Sequence, residues 1–165
     1  MSIEDIFGDA FISEVYEETK PSEDAVKAAA REFVVVIKEI IRPAMEEYGK
    51  SIEAEGNAYE IEESDDPQAP EIRLTVRIKG EEYMGKNKPS CLLYEFNPDS
   101  ANIRQWGWVT VPSKKNLAKI FAIALYDSEH ITPEVVREHL VSFMYDITDL
   151  AAPESSFVHT PVFKP

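Results

Sequence analysis

The sequence predicts an α+β protein, a four-stranded antiparallel meander with a long N-terminal helix and two C-terminal helices, packed as a two-layer sandwich. Three observations lead there. Apolar residues recur at three-and-four spacing from Val26 to Tyr48, the period of one helix face. EIRLTVRIKG, residues 71 to 80, alternates strictly: Ile72, Leu74, Val76 and Ile78 oppose Arg73, Thr75, Arg77 and Lys79, as in a strand with one semi-wet face. Short connections between consecutive strand-like runs, with the helix-like runs segregated from them, favour a meander over a doubly wound sheet.

The elements follow in order. Residues 1–20 form an N-terminal docking segment, apolar at Ile3, Ile6, Phe7, Phe11, Ile12, Val15 and Tyr16 and too short to be stable alone. A single domain spans 21–150. Ser22 is the N-cap of a helix over 23–48, with Glu23 and Asp24 in its positive first turn. Pro43 predicts a kink and Gly49 the stop. Val34-Val35-Val36 widens the apolar side, so cover is expected on more than one flank. Strands are expected at 52–63, 71–80, 91–97 and 102–111, with loops at 64–70 and 84–90 and a turn at Asn97-Pro98-Asp99-Ser100. Ser113 then caps a helix over 114–127 that turns Leu117, Ile120, Phe121, Ala124 and Leu125 inward. Thr132-Pro133 opens the last helix, to about residue 149, with Val136, Leu140, Phe143, Met144 and Ile147 inward. Residues 151–165 are a Pro-containing tail that also carries Phe157, Val158, Val162 and Phe163.

Composition narrows the class. The chain has 165 residues, enough for one domain with a real core. A single cysteine, Cys91, excludes an internal disulfide framework and suits a reducing, cytoplasmic setting. No stretch reads as a signal peptide or membrane span. The net charge of −14 repels DNA and anionic membranes, so neither is expected as a partner. That charge is uneven: residues 1–70 carry −13, residues 71–119 carry +4 and residues 120–165 carry −5.

Catalytic constellations are not evident, and no cofactor or metal is expected. His130 would align with Glu134 and Glu138 only if the last helix began early, which Thr132-Pro133 opposes. His139 reads as a partly exposed surface residue, Cys91 as a small buried thiol, and Asp65-Asp66 as a solvated loop. Ser155, Ser156 and His159 lie in the tail, a poor scaffold for a triad.

The binding candidates centre on NIRQWGWVTV, residues 102–111. As a strand it places Arg104, Trp106, Trp108 and Thr110 on one face and Ile103, Gln105, Gly107, Val109 and Val111 on the other. Both faces are apolar, so the indoles are expected either beneath the helices or under another cover, the chain's own termini or a second chain. Lys114 and Lys115, in the first turn of the expected helix, would add positive potential. The candidate ligand- or partner-binding residues are therefore Arg73, Arg77, Arg104, Trp106, Trp108, Lys114 and Lys115. The expected function is a non-enzymatic protein-interaction module, a chaperone, adaptor or inhibitor-like binder, as a homodimer. The alternatives are a site for an anionic small molecule or nucleotide, and an acidic DNA mimic or toxin neutraliser using carboxylates of residues 53–66.

Overall fold

The Ser22 hydroxyl accepts a hydrogen bond from the Ala25 N–H at 3.1 Å and starts the first helix as expected. The computed structural model describes residues 20–64, 66–83, 88–114 and 117–151; the N-terminal docking segment up to residue 19 and the tail from residue 152 lie outside them. Helix α1 (Glu23–Val36) runs through a π-helical turn (Ile37–Ile41) into α2 (Arg42–Ala54). Five strands follow: β1 (Ala58–Glu63), β2 (Glu71–Arg77), β3 (Ser90–Asn97), β4 (Asn102–Val111) and β5 (Leu117–Tyr126). Helix α3 (Pro133–Ala151) closes the described chain, its first turn capped by the Thr132 hydroxyl, which accepts from the Val135 N–H.

The kink expected at Pro43 takes the form of the π turn. Proline has no N–H for the carbonyl four residues back, and its ring crowds the turn before it. The helix widens immediately upstream, where the Arg42 N–H reaches the Ile37 carbonyl, and then resumes. Gly49 does not end it. The helix continues to Ala54, and the stop is made at Gly56, whose φ of +91° suits a residue without a side chain. Residues 52–57 are therefore helix and turn rather than strand, and β1 begins at Ala58. Gly49 is instead a packing residue, lying against the Tyr59 ring so closely that a β-carbon would collide with it.

The sheet is antiparallel in the order β1-β2-β3-β4-β5, each strand beside its neighbour in sequence. The meander was expected; its fifth strand was not. Residues 117–126 form β5, not a helix, and a short 3-10 turn (Pro112–Lys114) replaces the expected cap. Ser113 is held by Glu81 instead, its hydroxyl donating at 2.6 Å and its N–H at 3.0 Å. Among the described residues one α-helix follows the sheet, where two were expected. The physical reason lies in LAKIFAIALY: a run broken only by Lys119 satisfies helical spacing and strand pairing alike, and the open edge of β4 decides the matter.

One face of the sheet carries the core. Ile72, Leu74 and Val76 of β2, Leu92, Tyr94 and Phe96 of β3, and Ile103 and Val109 of β4 are buried there. Above them lie Ala30, Phe33, Ile37, Ile41, Met45 and Ile52 of the long helical rod, and Val136, Leu140, Phe143 and Ile147 of α3. Helix α2 crosses β1 while α3 lies over β3 and β4. The second flank expected around Val34 and Val35 is exposed among the described residues.

Candidate functional site: the outer face of the sheet

Strand register places every outward side chain, because residues paired across antiparallel strands share a face. Three rows cross the sheet on the side away from the helices. The first runs Glu62, Arg73, Leu93, Trp106. The second runs Glu60, Thr75, Cys91, Trp108, Ile120. The third runs Glu71, Glu95, Arg104, Leu125. Each row passes from charged or polar at the β1–β2 side to indole or aliphatic at the β4–β5 side. Trp106 and Trp108 thus share the outer face with Arg73 and Arg104, and neither lies beneath the helices.

A bulge shapes the apolar end. Gln105 pairs with Ala124 and Gly107 with Phe121, so β5 carries an extra residue opposite Trp106. That residue shifts the alternation of β5, which lets Leu125 and Ile120 lie on the same face. Both are strongly exposed, 58% and 71%. The indoles beside them are half-buried, their ring centroids 5.6 Å apart and tilted by 53°.

The polar edge of each indole is tied down. Trp106 Nε1 donates to Glu95 Oε1 at 2.9 Å, and Trp108 Nε1 donates to the Pro89 carbonyl at 2.7 Å. These bonds restrict the rotation of both rings. Leu93 and Cys91 form the buried floor between the strands. Burial pushes the Cys91 thiol up to about 12, with the nearby Arg73 only partly opposing it, so this sulfur is a packing group rather than a nucleophile.

The cations sort differently from the sequence expectation. Arg104 Nε donates to Glu95 Oε1 at 2.8 Å, and Arg73 Nη2 to Glu71 Oε1 at 2.9 Å. The Arg77 guanidinium sits over the Tyr83 ring, 5.8 Å from its centroid, not over an indole. Lys114 closes a 3-10 turn rather than opening a helix, so no helix N-terminus adds positive potential at Lys114 as expected; Lys115 lies outside the described residues.

Two histidines have ordered polar neighbours. His139, expected as a partly exposed surface residue, is half-buried and lies between two tyrosines: its Nδ1 lies 2.6 Å from the Tyr94 hydroxyl and its Nε2 2.9 Å from that of Tyr126. Sequence reading missed this group because its members come from β3, β5 and α3, and β5 was read as helix. Burial lowers the pKa of His139, with Glu138 opposing. His130 precedes α3 as expected; its ring, Asp127 and Glu129 have ligand atoms within 4.8 Å of one another at an exposed turn. Open surface grooves run along Arg137, Val141 and Tyr145 of α3 and between the π turn and the β1–β2 loop. No helix among the described residues is long and apolar enough to cross a membrane.

Comparison with protein-family models, curated proteins and solved structures finds no match for this chain.

Proposed function

We propose that this chain is a non-enzymatic protein-interaction module of the cytoplasm, a chaperone, adaptor or inhibitor-like binder that works through the outer face of its sheet and assembles as a homodimer. One observation carries the reading: an aliphatic and indole strip, Trp106, Trp108, Ile120 and Leu125, is open at one side of that face and rimmed by ion-paired residues at the other. Contiguous exposed apolar surface with a polar rim is the usual mark of a protein contact, and anchored aromatics are the residues that most often dominate such contacts. The lone cysteine is consistent with a reducing compartment.

The two alternatives have less behind them. An anionic ligand would need a cluster of free cations on this face, whereas the Arg73 and Arg104 guanidiniums already face carboxylates and Arg77 lies over the Tyr83 ring. A DNA mimic would need one acidic array. Glu53 belongs to the last turn of α2 and Glu55 to its cap, Glu60 and Glu62 lie on the outer face of β1, and Glu63 binds Arg42 at 2.7 Å.

The test compares capture from the native host's lysate by the wild type and by the double variant Ile120→Lys, Leu125→Lys. A protein bound by the first and lost by the second supports the reading. Identical captured sets end it.

A further inference from the structure

We infer that a second copy of this chain pairs with the first edge to edge along β5, joining two five-stranded sheets into one of ten strands. This rests on the interaction-module reading and names one partner of that surface. The two edges of the sheet are built differently. β1 is short and carries Glu60, Glu62 and Glu63 within its six residues, the charged edge by which sheets avoid further pairing. β5 is ten residues long, LAKIFAIALY, with Lys119 its only charge, and among the described residues no strand lies on its free side. A long apolar edge of this kind presents a row of unpaired backbone groups and is a template for another strand.

The occupant must therefore bring a strand. Residues 1–19 have helical three-and-four spacing and six carboxylates, a poor match to a neutral edge. Residues 152–165 hold Pro153, Pro161 and Pro165, none of which can donate to a ladder. A second copy supplies a strand of matching length and composition by symmetry. An antiparallel β5–β5 junction requires a two-fold axis perpendicular to the sheet. Both helical layers then stay on one side, and the Trp106, Trp108, Ile120 and Leu125 strips meet across the junction on the other. The glutamate-rich β1 edges end up farthest apart, which limits repulsion between two chains of −14 each. Added salt should therefore strengthen the dimer.

The experiment is sedimentation at micromolar concentration together with pulsed dipolar spectroscopy on the full chain. Spin labels are placed at Leu125→Cys in one sample and Glu60→Cys in another, each compared with the wild type by sedimentation because Leu125 lies at the junction; native Cys91 is buried and stays unlabelled. Strands about 4.8 Å apart put β1 roughly 19 Å from β5, so Glu60 labels on two copies should lie about 40 Å apart or more. Leu125 labels should fall within about one strand length, roughly 34 Å. A dimer with the Leu125 pair closer supports the inference, as does conversion to a monomer of unchanged circular dichroism by Ile120→Lys with Leu125→Lys. A monomer in the wild type, or a dimer whose Glu60 labels are the closer pair, overturns it. A wild-type monomer also removes the homodimer from the proposed function, whereas binding of another protein through the outer face is read by the lysate comparison alone, so failure of the edge pairing and failure of the interaction reading are told apart.

Discussion

Glu95 Oε1 accepts two hydrogen bonds at once, from the Trp106 indole at 2.9 Å and from the Arg104 guanidinium at 2.8 Å. A carboxylate that serves both fixes the ring plane of the indole and neutralises the cation beside it. Glu95→Ala should cost roughly 1 kcal/mol of stability, the scale of charge-assisted bonds on a partly exposed face. Tryptophan emission should shift to the red as Trp106 loosens. Denaturant unfolding and steady-state fluorescence check both, and Glu95→Gln, which keeps an acceptor, should fall between variant and wild type.

His139 makes stability depend on pH. A neutral imidazole has one donor and one acceptor, so one tyrosine hydroxyl donates to it and the other accepts from it. Protonation turns both nitrogens into donors and charges a ring that burial already disfavours charging, with its pKa lowered from 6.5. The unfolded chain then binds the proton more readily than the native one. The stabilising contribution is complete above about pH 6.5 and is lost as pH falls from there toward the lowered native value. Melting temperature followed from pH 8 to pH 5 should show this fall in the wild type and a smaller one in His139→Gln.

Cys91 should resist thiol reagents in the native protein. With its pKa pushed up to about 12, roughly one thiol in ten thousand is ionised at pH 8, and the sulfur is buried as well. Modification by a disulfide reagent should follow the unfolded fraction through a denaturant titration. Rapid labelling without denaturant would contradict the packed floor beneath the indoles.

Gly49→Ala should destabilise the protein although alanine is the better helix former. The added β-carbon meets the Tyr59 ring, and the resulting overpacking should cost roughly 1–3 kcal/mol. In a Tyr59→Ala background the same change should gain up to about 1 kcal/mol, the propensity difference alone. A double-mutant cycle by chemical denaturation reads this reversal of sign.

The parts legible in the sequence are those where local signals agree. Ser22 with Glu23 and Asp24 marks the helix start, the alternation of 72–78 marks the inward face of β2, and NIRQWGWVTV has the bounds of β4. β5 was illegible because its near-continuous apolar run has no single period, and its alanines and leucines favour helix. Only pairing with β4 makes it a strand. The same error hid the Tyr94–His139–Tyr126 contact. The face of the indoles was undecidable from β4 alone, since both its sides are apolar, and was fixed by register with Arg73 through Leu93.

A sheet in which each strand lies beside its neighbour in sequence can be assembled hairpin by hairpin as the chain leaves the ribosome. Every pairing closes a short loop, so the entropy lost before each set of ladder bonds is small, and the sheet itself should form quickly for an antiparallel structure. The slow part is the helical layer. Phe33, Ile41 and Met45 are synthesised first, yet their partners on β2, β3 and β4 appear only some tens of residues later, and the α3 residues that complete the core come last of all. During that interval the long helix carries an uncovered apolar stripe, and a chain of this design should need its earliest protection from aggregation there rather than at the sheet.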